Sequence, residues 1–215
     1  MIYIKRRRKR IKKWLSLIFI ITAIMISWLI LSAKILEPYK EKFIENKSMT
    51  IVERIINESI AEMMESGKYI YETFTKYNYS ENHKMQSISL DTTQINKFKN
   101  DINNKIQIKL QDNSLVSDNI PFGYLSGISR LFGIGQKLPV KFQITGKFNL
   151  NFESTFDTAG SNMTVHNIRL IIESNIISTS SNVSRSFKFT NDFEVAQTAI
   201  IGDEIQHIIG GTTMF

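Results

Sequence analysis

The stretch Val140–Phe156 reads VKFQITGKFNLNFESTF, and apolar and polar residues alternate along it with a period of two. Large apolar residues occupy most even-numbered positions, while Lys, Gln, Asn and Glu occupy most odd-numbered ones. This pattern is typical of a β-strand with one face in a core and the other in water. Gly146 falls in phase with the apolar set. We therefore predict either one long strand that bends there or a tight turn that keeps register.

The same alternation continues toward the C-terminus. Residues 157–162 (DTAGSN) predict a turn, residues 164–176 a second strand, and residues 178–186 a polar turn. A further strand is predicted through Phe187, Phe189, Phe193 and Val195. Because each strand has one polar face, we expect an antiparallel sheet that is covered on one side only.

Two amphipathic helices are available to cover this sheet. The first is predicted at 39–66, after Glu37-Pro38, because proline suits the first turn of a new helix. Its apolar stripe contains Val52, Ile55, Ile56, Ile60, Met63 and Met64. It packs on the sheet of its own domain or, as the alternative, forms a dimeric coiled coil. The second, capped by Thr92 or Thr93, presents Ile95, Phe98, Ile102, Ile106 and Leu110 on one face.

The segments between these helices also favour β-structure. Residues 69–74 are aromatic and β-prone, residues 77–83 read as a polar turn, and residues 85–91 alternate as a strand. Together the elements predict an α+β fold, a two-layer domain of antiparallel sheet covered by amphipathic helices.

Residues 120–139 read IPFGYLSGISRLFGIGQKLP, with four glycines and two prolines. We expect a structured loop or hinge, because its Phe, Leu and Ile side chains require cover. Burial beneath the sheet is the simplest expectation. Contact with a membrane or with a partner protein is the alternative.

The N-terminal part of the chain predicts a membrane anchor. Residues 14–33 (WLSLIFIITAIMISWLILSA) carry no charge, and a helix of twenty residues is about 30 Å long, which matches a bilayer core. A buried core helix and a cleaved signal peptide are the alternatives. The charged flanks disfavour the first. The apolar run is too long for a usual signal peptide. A cut after Ala33 would also place Leu31 at the −3 position, where a small residue is required, so the signal peptide is disfavoured.

The basic tail sets the predicted orientation of this anchor. Residues 1–13 hold eight Lys or Arg and no acid, which places them in the cytoplasm and residues 37–215 outside it. The remainder of the chain carries 19 basic and 20 acidic residues, so we expect the tail to contact anionic lipid and no part to bind nucleic acid. The predicted organisation is a tail (1–13), a span (14–33), an amphipathic helix that is a stalk or part of the domain (37–66), and an extracytoplasmic α+β domain (67–215).

Motifs that carry chemistry are incomplete in this sequence. Gly127-Ile128-Ser129 lacks the second glycine of a nucleophile elbow, and Gly146-Lys147 is followed by Phe148 rather than Ser or Thr. With no cysteine, thiolate metal sites and disulfides are excluded. We predict no enzymatic activity, no cofactor and no metal. His166 shares its parity with Ile168 and Leu170, so we expect a hydrogen-bonded core histidine, with a catalytic or pH-sensing role as the alternative.

Several segments together resemble the YunB family of sporulation proteins from endospore-forming bacteria. They are MTIVERIINESIAEMM at 49–64, IPFGYLSG at 120–127, FGIGQKLPVK at 132–141, AGSNMTVHNI at 159–168 and VAQTAIIGDE at 195–204. The segment at 159–168 is similar to the family pattern A-G-x-N-x-T-x-H-x-I, which makes Gly160, Asn162, Thr164 and His166 the candidate site residues. The chain departs from the family at Gln197, Ile134 and Gln136, and at Asp203-Glu204.

The resemblance implies a membrane-anchored protein required for spore formation and made in the mother cell. We expect a non-enzymatic protein whose external domain engages other envelope or sporulation proteins or peptidoglycan. One rival hypothesis is a peptidoglycan-modifying or hydrolytic envelope enzyme that uses His166 with a carboxylate. The other is an oligomeric structural module that assembles through its sheet edges.

Overall fold

The computed structural model describes residues 2–81, 85–160, 162–181 and 183–201. Its helices are α1 (Ile2–Glu65), α2 (Tyr71–Phe74), α3 (Thr92–Asp112) and α4 (Phe122–Leu125), with a 3₁₀ turn at Ser129–Leu131. Its strands are β1 (Thr75–Tyr79), β2 (Met85–Leu90), β3 (Leu115–Pro121), β4 (Lys137–Thr158), β5 (Met163–Ser180) and β6 (Val183–Ile201). The described residues fall into two compact units, one within 1–47 and 117–141 and the other within 48–116 and 142–215.

The described strands form two sheets, and the larger has the strand order β3-β4-β5-β6. β4 pairs with β5, and β5 with β6, in antiparallel register, while β1 and β2 form a separate antiparallel pair. The predicted α+β class with antiparallel sheets and helices is confirmed. Of the two alternatives at Gly146, the single long strand is correct. There a Cβ would come within 2.6 Å of the Ile176 Cδ1 atom, so glycine permits close packing between β4 and β5.

The polar turn predicted at 178–186 is wrong over most of its length. β5 continues to Ser180 and β6 begins at Val183, so the strands pair almost to the turn itself. Thr179 lies opposite Ser184, and their hydroxyl oxygens are 3.0 Å apart. Small hydroxyl residues suit such cross-strand contacts, which is why a polar composition does not end the strands here.

The apolar face of α3 is confirmed at every predicted position, since Ile95, Phe98, Ile102, Ile106 and Leu110 are all buried. The N-cap predicted at Thr92 or Thr93 is wrong by one or two residues. Asp91 caps the helix, and its Oδ1 atom accepts hydrogen bonds from the backbone N–H groups of Thr93 (3.0 Å) and Gln94 (3.3 Å). A carboxylate placed before the first turn satisfies two amides that would otherwise lack partners.

The helix break predicted at Glu37-Pro38 is also wrong. α1 is continuous, with Pro38 inside it. An internal proline removes one backbone hydrogen bond and crowds one carbonyl, at a cost of about 3 kcal/mol, and the turns on either side keep their own bonds. The predicted stripe is buried at Val52, Ile55, Ile56 and Ile60 and half-buried at Met63 and Met64.

The strand predicted at 69–74 is wrong, because α2 occupies 71–74 and the strand β1 follows it. Tyr71 and Phe74 are both buried. Residues three apart share one side of a helical turn but lie on opposite faces of a strand, so only the turn buries both side chains together. The polar turn predicted at 77–83 is wrong at 77–79, since β1 extends to Tyr79. Positions 82–83 of that prediction lie outside the described residues.

No helix in the described part of the chain is both long and apolar enough to cross a membrane. The predicted span at 14–33 falls on α1, and its side chains at 14–17, 26 and 28–33 lie outside the described residues.

The predicted burial of the 120–139 loop is wrong for most of its apolar side chains. Large apolar residues are exposed at Phe122, Ile128, Leu131, Phe132, Ile134 and Leu138. Close backbone packing within the loop fills its interior and leaves these side chains outside.

Candidate functional site

His166 lies on β5 in the buried face of the four-stranded sheet, with 1% of its surface exposed. In register it faces Phe156 of β4 and Thr198 of β6. The alternation of β5 places it on the same face as Ile168 and Leu170, both fully buried. The prediction that His166 points into the apolar layer is therefore confirmed.

Both ring nitrogens of His166 have a hydrogen-bond partner. The hydroxyl oxygen of Tyr71 is 2.5 Å from Nδ1, and Ser154 Oγ is 2.8 Å from Nε2. Ser154 is contributed by β4 and Tyr71 by α2. A buried polar group that is fully hydrogen-bonded adds stability, whereas the same group left unpaired would cost it.

Two aromatic rings hold the imidazole plane in place. Phe156 stacks on it with ring centroids 4.1 Å apart and an interplanar angle of 7°. The Tyr71 ring meets it edge-on, at 5.5 Å and 86°. The outer side of the Phe156 ring remains open, since that residue is 54% exposed. The imidazole is thus fixed by two hydrogen bonds and two ring contacts.

Burial shapes the protonation of this cluster. Desolvation lowers the pKa of His166, because a charged imidazolium is disfavoured away from water. Desolvation also raises the pKa of Tyr71 to about 12, with smaller contributions from Tyr77 and Glu72. The pair is therefore neutral at pH 7. Either Tyr71 donates to Nδ1 and Nε2–H donates to Ser154, or both bonds run in the opposite direction.

The other candidate residues do not join His166. Gly160 occupies the turn before β5 with a φ of +103°, a conformation that suits glycine. Asn162 is exposed in the same turn, and Thr164 is half-buried on β5, opposite Thr158 and Ile200. The four family-motif residues thus form a turn and the strand that follows it, and His166 alone among them is buried.

Three contacts of His166 were not predicted from the sequence. Ser154 and Phe156 share the even parity of the apolar positions on β4, so their face was predictable although their partner was not. Tyr71 is 95 residues away from His166 in the sequence, and no local pattern indicates that pairing.

The described residues hold a groove beside α3 and no cluster of metal ligands. In the described ranges no group of three or more His, Asp or Glu side chains is arranged to hold a metal ion. A surface groove of about 520 Å³ lies between α3 and β4, lined by apolar residues and by the neutral amides of Asn104, Gln107, Gln111 and Gln143. His83 and His207 lie outside the described residues.

Fold and site define an α+β protein with antiparallel sheets and a hydrogen-bonded histidine buried in the larger sheet. Residues 117–204 match the family model described as "Sporulation protein YunB (Spo_YunB)". The chain is also 23% identical over 206 residues to "Sporulation protein YunB" of Bacillus subtilis (strain 168), covering 91% of this chain and 80% of that protein. The resemblance to the YunB family is thereby confirmed. No solved structure matches the chain.

Proposed function

We propose that this chain is a membrane-anchored sporulation protein, made in the mother cell, whose external domain acts by contact with other envelope proteins rather than by catalysis. The observation that carries the proposal is the similarity to Sporulation protein YunB, which extends over 91% of the chain. The matched segment 117–204 contains the 120–139 loop and the three long strands.

The sequence supports the membrane anchor. Twenty uncharged residues at 14–33 follow a tail with eight basic residues, and basic residues are retained on the cytoplasmic side of a span. The tail at 1–13 then lies against anionic lipid headgroups. The domain after the span is external.

The surroundings of His166 favour a structural role over catalysis. A general base must reach its substrate, and this imidazole is almost fully buried. The rival enzyme would pair His166 with a carboxylate, but both ring nitrogens bond to neutral hydroxyls. Ser154, His166 and Tyr71 do follow the order of nucleophile, base and orienting group. A neutral phenol, however, does not stabilise an imidazolium as a carboxylate does.

Complementation of a deletion strain tests the proposal. Deleting the gene is expected to reduce the yield of heat-resistant spores, and the full chain is expected to restore it. Residues 34–215 expressed alone should not restore it, because the domain is no longer held at the membrane. A normal spore yield in the deletion strain would contradict a role in sporulation.

Orientation is checked in the same cells. A reporter enzyme that is active only in the cytoplasm, fused after Phe215, should be silent, while the same reporter fused before Met1 should be active. The reverse result would overturn the proposed topology without affecting the role in sporulation.

A second candidate function, assembly through a sheet edge, is favoured by β6. This strand of 19 residues ends the sheet, and in the described ranges it has a strand neighbour on one side only. Antiparallel pairing of two copies centred on Thr190 would set Lys188 opposite Asp192 twice and Phe187 opposite Phe193 twice. Opposite charges and aromatic pairs across an antiparallel ladder are stabilising, so the edge is complementary to itself.

Charge reversal on β6 tests this assembly. For the full chain in detergent micelles, we expect a dimer by light scattering. Asp192→Lys should give a monomer, because it sets Lys188 opposite a second lysine. The double variant Lys188→Asp/Asp192→Lys should restore the dimer. The control is Glu153→Lys, on the same sheet face but on β4, which should leave the dimer intact. A wild-type monomer would rule out pairing through this edge.

A further inference from the structure

The loop between β3 and β4 exposes an unusual amount of apolar surface. Six large apolar side chains on it are between 37% and 59% exposed: Phe122, Ile128, Leu131, Phe132, Ile134 and Leu138. We call these six residues the apolar loop patch. Scattered apolar side chains are common on protein surfaces, but a concentration of this size on one segment marks a contact site.

The loop that carries this patch is rigidly built. The backbone N–H groups of Phe122 and Gly123 donate to the carbonyl oxygens of Gln136 and Ile134, each at 2.9 Å, and close the loop at its base. A Cβ at Gly123 would overlap the carbonyl oxygen of Leu131, so only glycine allows the two segments to approach this closely. The apolar side chains are therefore held outside by an ordered backbone.

Contacts with α1 fix the position of the loop along that helix. Gly127 packs against the ring of Tyr39, where an added Cβ would lie 2.5 Å from the ring. Tyr124 meets Phe43 edge-on, with ring centroids 5.4 Å apart. α1 is continuous here, so Tyr39 lies about 9 Å, and Phe43 about 15 Å, beyond Ala33 along the axis. The loop therefore packs on the second and third helical turns after the proposed span.

The position of Tyr39 along α1 corresponds to the polar surface of a bilayer. Headgroups add roughly 5–8 Å to each side of the hydrocarbon core, so Tyr39 lies at the headgroup boundary when Ala33 ends the span. Tyrosine is enriched at this depth, and Tyr39 lies there. Residues 120–139 also contain two basic residues, Arg130 and Lys137, and no acidic one. Apolar side chains beside isolated basic ones are typical of segments that bind at a membrane interface.

We propose that the apolar loop patch inserts into the interface of the membrane that α1 spans, so that the chain contacts the bilayer at two places. This inference rests on the proposed anchor. The second contact fixes the orientation of the loop at the membrane surface, because two points of attachment prevent rotation about a single helix. The occupant of the patch is lipid, not a partner protein.

Site-specific fluorescence tests the insertion, and the absence of cysteine from the chain makes single labels straightforward. The full chain, reconstituted into vesicles of phosphatidylcholine and phosphatidylglycerol, carries an environment-sensitive dye at Ile134→Cys. Two further labels serve as references. Ile24→Cys lies in the proposed span, and Asn119→Cys is exposed and polar on β3. Vesicles with brominated acyl chains quench dyes that reach the hydrocarbon, and iodide quenches those in water.

We expect blue-shifted emission and loss of fluorescence to brominated lipid at positions 24 and 134, and quenching by iodide at position 119. If position 24 is quenched by lipid but position 134 only by iodide, the loop does not insert, and the result still supports the membrane anchor. If position 134 is protected from both quenchers, a protein surface covers the patch and the inference also fails. If position 24 is not quenched by lipid, the anchor itself is wrong.

Discussion

Replacing Phe98 with alanine is expected to lower the free energy of unfolding by about 3–5 kcal/mol. Phe98 on α3 is completely buried. Its ring meets Tyr69 edge-on at 4.7 Å, Phe74 at 5.4 Å and Phe152 of β4 at 5.7 Å, measured between centroids. Truncation therefore removes a whole ring from an aromatic cluster and leaves a cavity that three other rings cannot fill.

Thermal unfolding of the full chain in detergent micelles measures this effect. A loss of 3–5 kcal/mol corresponds to a decrease in Tm of roughly 10 °C for a chain of this size. Ile108→Ala is the matched control, because Ile108 lies on the same helix but is 61% exposed. It should change the free energy of unfolding by less than about 0.5 kcal/mol. Equal shifts for the two variants would show that the aromatic cluster is not the core.

The second large effect is expected at His166. His166→Ala should lower the free energy of unfolding by about 1–3 kcal/mol, because it leaves Tyr71 and Ser154 without a partner and opens a small void beneath Phe156. Arg169→Ala is the control on the same strand. Its side chain lies on the polar face, where the ion pair with Asp192 is exposed and contributes less than about 1 kcal/mol. A loss at His166 no larger than the control would contradict the structural role.

The pH dependence of the same variant checks the protonation state. Burial lowers the pKa of His166, so the unfolded chain binds a proton at a higher pH than the folded chain does. His166 therefore contributes its full stability above pH 6.5, its ordinary pKa. This contribution is lost as the pH falls toward the pKa of His166 in the folded chain. The difference in stability between the wild type and His166→Ala should be largest near pH 7 and should shrink below pH 6.5.

The sequence correctly predicted the elements in which apolar residues recur at a regular spacing. The five apolar positions of α3 recur at steps of three and four, and each is buried. The alternation of β4 and β5 correctly placed His166 on the core face. These predictions succeed because one buried face imposes a period on the sequence whatever the partner is.

The sequence was less informative where tertiary contacts override local preference. Tyr71 and Phe74 are both β-prone, yet their joint burial requires the helical turn of α2. The partner of His166 on α2 is distant in the chain, so no spacing indicates it. The apolar loop patch contradicts the expectation that Phe, Leu and Ile are covered, because the close backbone approach at Gly123 fills the interior of the loop instead.

Spore yield at matched protein abundance shows whether this protein supports sporulation without chemistry at His166. The cells carry the His166→Ala variant as their only copy of the gene. Its expression is raised until the amount of folded protein at the membrane equals that of the wild type. We expect heat-resistant spores to form at the wild-type yield in these cells. Loss of spores at an equal abundance of folded protein would contradict the structural role and would assign His166 to a functional site.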